Sequence, residues 1–198
     1  MPNILRPFAF VLAGLLAAAS PGAAKSTAAA NTDRGVSFAI TYSESGSNFV
    51  SSNRFWLEGG GAELATSSWH GFGVAASVVG LHTSNSGSGV PVNLVVTTFG
   101  PRYSWSPHHS RTVLFAQGLV GEVDGFDGLY PGTPAADTST SRLATQVGGG
   151  IDLGFRRHFS LRLLQADWLR TQLPNAGTNV QNNFRLGAGI VFHTNSRP

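Results

Sequence analysis

The stretch that decides the fold is Asn182–Phe192, which reads NNFRLGAGIVF. Every second residue from Phe184 to Phe192 is apolar, and the residues between them include Arg185 and two glycines. A period of two predicts a β-strand with one apolar and one polar face. About ten residues is also the length of a strand that crosses a bilayer at a tilt. The stretch therefore predicts a strand with its apolar face towards lipid and its polar face towards an enclosed lumen.

Seven similar segments precede this strand, separated by residues that favour turns. Their connections alternate between long and short, which is typical of membrane barrels with long extracellular loops and short periplasmic turns. We therefore predict an all-β fold, an eight-stranded antiparallel up-and-down transmembrane β-barrel with both termini in the periplasm. The long loops are predicted at Ser43–Asn53, Thr83–Gly89, Asp124–Thr140 and Leu173–Asn179.

Two places interrupt the period and predict bulges. Around Gly59–Gly61, Phe55 and Leu57 have one parity, whereas Ala62 and Leu64 have the other. A glycine bulge would explain this slip. The adjacent pair Leu163-Leu164 breaks the period of the seventh strand in the same way.

The N-terminal residues 1–24 read as a cleaved secretory signal peptide. Arg6 precedes the apolar run Phe8–Leu16, and Gly22-Ala23-Ala24 offers small residues for cleavage. A membrane anchor is the alternative, but Pro21-Gly22 ends the apolar stretch before the ~20 residues that a spanning helix needs. We assign residues 25–34 to a flexible periplasmic lead-in, 35–193 to the barrel and 194–198 to a C-terminal tail.

Composition excludes several classes of function. Charged residues make up 12% of the chain, against about a quarter in soluble domains. The net charge is +3 and Lys25 is the only lysine, so no basic face for nucleic acid is expected. The absence of cysteine excludes disulfides and cysteine metal sites. No cofactor is expected.

Aromatic residues gather at the two predicted membrane interfaces once each strand is given a direction. Such belts are typical of membrane barrels. The predicted girdle consists of Tyr42, Trp56, Trp69, Phe72, Tyr103, Trp105, Phe155, Phe159, Trp168 and Phe192.

Several stretches resemble a known family: FGPRYS (99–104), FAQ with the following LVG (115–121), GGGIDL (148–153), RHFSLRLLQADWLRT (157–171) and QNNFRLGAGIVF (181–192). They are similar to the small eight-stranded outer-membrane barrels of the OmpA-like and opacity type, and among these to a porin-family group of acidobacteria. The resemblance implies the outer membrane, contact with its lipid and lipopolysaccharide, and insertion by the barrel-assembly machinery. That machinery reads a final aromatic residue, here Phe192, which is followed by HTNSRP.

Nine charged residues have, or after a bulge could have, the parity of the lumen. An eight-stranded barrel is just wide enough for side chains to fill it, and buried charges must pair. We therefore expect a plug of paired charges, with an ion path through a narrow porin as the alternative. The nine are Glu58, Glu63, Arg102, Glu122, Arg142, Asp152, Arg162, Asp167 and Arg185.

The string His82-Thr83-Ser84-Asn85 resembles the active-site sequence of lipid A 3-O-deacylases. His82 and Ser84 share the lipid-facing parity at the extracellular rim, where lipid A lies. A serine nucleophile also needs a base with an orienting group, and Glu58 is expected to face the lumen instead. A polar strand end is therefore favoured, and an outer-membrane lipid A hydrolase is kept as the alternative.

The remaining polar motifs predict no chemistry. His108-His109 lies in a turn without further ligands nearby in the sequence, which a metal site would need. The glycines near 59 and 148 lack the strand–loop–helix context of a phosphate cradle. The leading prediction is a structural or surface-interaction protein whose extracellular loops bind an unknown ligand. A soluble lipocalin-like barrel, with its apolar rows inside, is a third interpretation.

Overall fold

Eight antiparallel strands, each bonded to its neighbours in sequence, form a closed barrel in the computed structural model. The last strand bonds to the first, so the sheet has no open edge along its closed part. The structure describes residues 35–47, 55–67, 70–84, 91–107, 110–130, 136–175 and 179–194. The strands are β1 Gly35–Ser47, β2 Phe55–Ser67, β3 Phe72–Thr83, β4 Val92–Trp105, β5 Thr112–Tyr130, β6 Asp137–Arg156, β7 Phe159–Thr171 and β8 Gln181–His193.

The predicted all-β, eight-stranded antiparallel barrel is confirmed. The connections β1–β2, β3–β4, β5–β6 and β7–β8 lie at one end of the barrel, which we call the loop end. The connections β2–β3, β4–β5 and β6–β7, none of which exceeds six residues, lie at the other end, which we call the turn end. The described residues include no helix that is long and apolar enough to span a bilayer.

The two faces of β8 lie on the sides of the barrel that its sequence predicts. Leu186, Ile190 and Phe192 are exposed on the outside. Arg185 and Val191 are buried inside, with 3% and 1% of their surface exposed. The barrel thus has an apolar outside and a lumen that contains buried charged residues.

Aromatic rings lie along the seam where the chain closes on itself. Phe192 on β8 pairs in register with Phe38 on β1 and with Phe159 on β7. Its ring centroid lies 6.3 Å from that of Phe38 and 5.0 Å from that of Phe159. Such ring contacts add to the strand pairing at the seam.

One of the two predicted bulges is present. On β7 the register shifts between Arg162 and Gln165, so that both are buried while Leu163 and Leu164 are both exposed. The bulge predicted at Gly59–Gly61 was wrong, because β2 pairs with β1 without interruption from Phe55 to Ser67. The apparent slip arises because Leu57 lies in an apolar part of the lumen, so apolar residues occur on both faces of β2.

The loop predicted at Asp124–Thr140 was also largely wrong. Most of it continues β5 and β6 as a hairpin beyond the loop end, interrupted by a register shift between Phe126 and Tyr130. Asp127 has a φ of 54° at this irregularity. The Asp and Gly residues that suggested a turn therefore lie in a long hairpin.

Some predictions fall outside the described residues. These are the signal peptide, the lead-in, most of the C-terminal tail, Trp69 and His108-His109.

Candidate functional site

Strands β2, β4, β6 and β7 place four buried charged side chains together in the lumen, in the half nearer the turn end. We call Glu63, Arg102, Asp152 and Arg162 the charge cluster. Each belongs to a different strand, and at most 5% of each is exposed. All four were predicted as lumen residues from their parity.

Glu63 is the centre of the charge cluster. Its Oε1 accepts hydrogen bonds from Arg102 Nη1 at 2.5 Å and from Arg162 Nη1 at 2.7 Å. Its Oε2 accepts another from Gln117 Nε2 at 3.1 Å. One carboxylate therefore joins β2 to β4, β5 and β7 across the lumen.

Asp152 completes the cluster from the opposite side. Its two oxygens accept hydrogen bonds from Arg162 Nε at 2.8 Å and Arg162 Nη2 at 3.2 Å. This is the fork geometry that makes arginine–carboxylate pairs strong and specific. The guanidinium carbons of Arg102 and Arg162 also lie 3.7 Å and 4.4 Å from the Phe115 ring centroid, close enough for cation–π attraction.

A second ion pair lies beside the charge cluster. Asp167 Oδ2 accepts hydrogen bonds from Arg185 Nη2 at 2.7 Å and Arg185 Nε at 3.2 Å. Gln165 links it to the cluster, because Gln165 Nε2 donates to Asp167 while its Oε1 accepts from Arg162 Nη1. Three buried carboxylates thereby balance three buried guanidinium groups.

An apolar layer fills the lumen nearer the loop end. Nine of its ten buried side chains come from six strands, β2 to β7, and the tenth is Leu173, which follows β7. Such a layer excludes water from the space between the charge cluster and the loop end. We call it the apolar plug: Leu57, Val79, Leu81, Leu94, Val96, Val123, Tyr130, Ala144, Leu169 and Leu173.

Three of the nine predicted lumen charges are not in the lumen. Glu58 is exposed on the outside, because without a bulge on β2 it has the parity opposite to that of Glu63. Glu122 is exposed because the inward residues of β5 are the odd-numbered ones, such as Gln117. Arg142 has inward parity but is exposed, since it lies beyond the last pair between β6 and β7.

The uncharged members of the lumen network were not among the predicted lumen residues. Gln117, Gln146 and Gln165 are buried, and Phe115 lies under two guanidinium groups. Parity would have found Gln117 and Phe115, because both share the inward face of β5. Charge, which defined the predicted lumen residues, does not identify them.

The glycines of β6 make room for the lumen network. A Cβ on Gly148 would lie 2.2 Å from Asp167 Oδ1 and 2.4 Å from the Ala166 carbonyl oxygen. A Cβ on Gly150 would meet the Phe115 ring at 2.7 Å. These glycines therefore serve close packing.

His82 and Ser84 are both exposed at the loop end of β3. His82 Nδ1 lies 2.7 Å from Asn93 Oδ1 on β4. Glu58, which was expected inside, is the register partner of His82 on β2 and is exposed as well. Glu58 Oε2 accepts a hydrogen bond from Tyr42 Oη on β1 at 3.4 Å. The outside of the barrel thus carries His82 against an amide, with a carboxylate on the neighbouring strand.

The predicted girdle residues that the structure describes are all exposed. Phe72, Tyr103, Trp105, Phe155, Phe159 and Phe192 lie towards the turn end, and Tyr42, Trp56 and Trp168 towards the loop end. Phe72 and Tyr103 are register partners with ring centroids 4.8 Å apart. Among the described residues, no three His, Asp or Glu side chains are arranged to hold a metal ion.

Comparison with solved structures identifies the fold. The chain is similar to Neisserial surface protein A, with a TM-score of 0.60 and 10% identity over 79% of this chain and 96% of that one. It is also similar to Ail, the attachment invasion locus protein of Yersinia pestis, with a TM-score of 0.51 and 17% identity over 80% and 99%. No family model matches the sequence, and a search of curated proteins finds no match. The fold is that of the small eight-stranded outer-membrane barrels.

Proposed function

We propose that this protein is a closed, non-conducting outer-membrane barrel that presents its loop end outside the cell as an interaction surface. The observation that carries the proposal is the filled lumen. The charge cluster and the apolar plug occupy it one above the other, and each consists of buried side chains. A filled barrel can serve as a rigid support. Its function would then be carried out by the segments that it presents at the loop end.

The β5–β6 hairpin is the displayed feature with the most defined structure. It continues past the loop ends of the neighbouring strands and carries exposed side chains, including Phe126 and Leu129. Loops and hairpins on rigid scaffolds commonly carry binding. The hairpin and the three long connections are therefore the proposed contact region for an extracellular ligand.

The names of the two structural neighbours also support a surface role. One is called a surface protein and the other an attachment invasion locus protein, which has been solved with the heparin analogue sucrose octasulfate. We do not transfer that ligand, because Glu122, Asp124, Asp127 and Asp137 make the present hairpin acidic.

The exposed apolar outside supports the proposed environment. Ile40, Val74, Val147 and Leu163 are each more than half exposed, as expected where lipid contacts the barrel. Export through residues 1–24, periplasmic termini, assembly by the barrel-assembly machinery and contact with lipopolysaccharide belong to the same proposal. No enzymatic activity or cofactor forms part of it.

Two measurements test the proposal. In planar bilayers the purified protein is expected to show no steady conductance, and nanosiemens openings would favour a porin. In intact cells, a membrane-impermeant maleimide should label a cysteine at Leu129 and leave one at Arg157 in the β6–β7 turn unlabelled. The chain has no native cysteine, so each label reports one position. Labelling of the Arg157 position alone would reverse the proposed orientation.

The outward position of Glu58 favours a second candidate function, hydrolysis of lipid A ester bonds. Ser84 would be the nucleophile and His82 its base, oriented through Nδ1 by Asn93, with Glu58 on the neighbouring strand. Ser84 follows the last residue of β3 and, like His82, is exposed on the protein surface. A base held by a third group is the arrangement that activates serine.

Mass spectrometry of lipid A distinguishes the two candidates. If the protein is a hydrolase, lipid A from cells that contain it should lack an acyl chain. Lipid A from cells with the Ser84→Ala variant should then keep that acyl chain. Lipid A from cells with Ser104→Ala, a change on another strand, should still lack it. Unchanged lipid A with the native protein present would exclude the hydrolase.

A further inference from the structure

The loop end of β6 has an open edge. β6 pairs with β5 at Asp137 and, after a register shift, from Ser139 to Leu153, but its pairing with β7 begins only at Ala144 and Thr171. One further bond reaches β6 from this side, donated by Gln172 N to Leu143 O at 3.1 Å. Within the described residues, the strand from Asp137 to Arg142 therefore has a neighbour on one side only.

The unpaired backbone groups of this edge can be identified. Leu143 O points towards β7, whereas Gly154 N donates to Arg111 O on the β5 side. Backbone groups of alternate residues point to opposite sides of a strand. Ser139 and Ser141, which share the parity of Leu143, thus direct their N–H and C=O groups to the open side, and both residues are exposed. Ser141 O already accepts a hydrogen bond from Arg142 Nη1 at 2.8 Å. The groups that remain open to a new strand are therefore the N–H and C=O of Ser139 and the N–H of Ser141.

The edge lies above the lipid-facing part of the barrel. Trp168 of the loop-end girdle pairs with Val147 on β6. Leu143 is four residues further along, which corresponds to roughly 13 Å of strand. The open edge is therefore outside the apolar region.

Two features that normally prevent strand pairing, lysine and proline, are absent from this edge, whereas a register shift lies beside Asp137 and Arg142 carries a charge. Natural edges are commonly protected by lysine, proline or bulges. The sequence Asp-Thr-Ser-Thr-Ser at 137–141 contains neither proline nor lysine. From Ser139 to Leu153, β6 pairs with β5 without a register shift.

The negative charge around the edge favours a positively charged partner. Ser141 Oγ lies 2.6 Å from Asp124 Oδ1 and is also hydrogen-bonded to Glu122 Oε1. A hydroxyl has one hydrogen, so it cannot donate to both carboxylates at once. Asp127 and Asp137 add negative charge nearby, against the single arginine Arg142.

We propose that the β6 edge at 137–142 is a docking site for an extended segment of a partner protein that carries lysine or arginine at alternate positions. The segment would add a strand beside β6 through the N–H and C=O of Ser139 and the N–H of Ser141, and strand addition is a known mode of peptide recognition. Its basic side chains would contact the carboxylates of the hairpin. Pairing with a second copy of this chain is disfavoured, because it would bring two acidic hairpins together. This inference deepens the proposed surface role and rests on it.

The test uses the full mature protein in lipid nanodiscs and three synthetic peptides. One peptide alternates lysine with threonine and valine, the second has glutamate in place of lysine, and the third is the lysine peptide with a central proline. Fluorescence anisotropy should show binding of the first peptide alone. Hydrogen exchange should show protection of the Ser139 and Ser141 amides when that peptide is bound.

A matched pair of variants tests the backbone contact. Ser139→Pro removes a donor on the open side and leaves the bonds to β5, and it should weaken binding at least about tenfold. Ser139→Ala changes only the side chain and should bind as the native protein does. Heat-modifiable gel mobility establishes that both variants are folded, and the proline peptide tests the same contact on native protein.

Several results would overturn the proposal. These are equal affinity of Ser139→Pro and Ser139→Ala, equal binding of the lysine and proline peptides, absence of binding by all peptides, and dimers that Ser139→Pro abolishes. With surface labelling at Leu129 and no conductance, such results would remove the edge site and leave the proposed function standing. If the cysteine at Leu129 is not labelled in intact cells, both the proposed surface role and the edge site are excluded.

Discussion

Gly148 illustrates how single residues control the lumen. Its missing side chain leaves the space that the Asp167 carboxylate occupies. Gly148→Ala should therefore displace this carboxylate from Arg185 and destabilise the barrel by about 1–3 kcal/mol, the usual cost of overpacking. Gly118→Ala is the matched control, because a Cβ there meets no atom within 4 Å. Urea unfolding of both variants in detergent or vesicles measures the difference, and equal stability would contradict this account of Gly148.

The Asp167–Arg185 pair allows a second prediction at the residue scale. Removal of one partner leaves a buried charge uncompensated, so Arg185→Met should cost about 3–5 kcal/mol of unfolding free energy. The double variant Asp167→Leu/Arg185→Met should recover most of this loss, since apolar replacement of a buried pair is often neutral. The same unfolding assay gives the coupling energy. A double variant that is less stable than the single one would show that the pair contributes net stability.

The β7 bulge is the element whose geometry is most easily tested. Because Leu163 and Leu164 are both exposed while Arg162 and Gln165 are buried, spin labels at two consecutive positions should both contact lipid. We expect oxygen to relax labels at Leu163 and Leu164 as strongly as one at Leu161. A label at Gln165 should be protected. Alternating protection across 163 and 164 would exclude the bulge.

At the level of elements, the sequence predicted most of what parity controls. The eight strands, the faces of β8 and the bulge at Leu163-Leu164 follow from the period of two. Six lumen charges were found in the same way. The prediction that Glu58 faces the lumen was wrong, because the apolar plug puts apolar residues on both faces of β2 and parity then does not distinguish the faces. Parity failed again at the β5–β6 hairpin, since the residues that pair beyond the loop ends of the neighbouring strands are mostly polar or glycine and resemble a loop, although Tyr130 packs in the apolar plug.

The two layers in the lumen give a prediction for the whole molecule. The charge cluster and the apolar plug close the same passage at different depths, so loss of one should leave the other in place. Arg162→Ala and Leu169→Ala are each expected to remain closed in planar bilayers. The double variant should show openings, with gel mobility confirming that it is folded. Conductance of either single variant would mean that one layer alone seals the barrel.

The contact between Glu63 on β2 and Arg162 on β7 has a consequence for biogenesis. These residues are 99 positions apart in the chain, and they come together only after the six strands from β2 to β7 have been assembled into a curved wall. Until then, the polar row of each hairpin is better solvated by water than by hydrocarbon. A partially assembled sheet is thereby held at the membrane surface, and the step that joins the two ends of the chain is also the step that makes entry into the bilayer favourable.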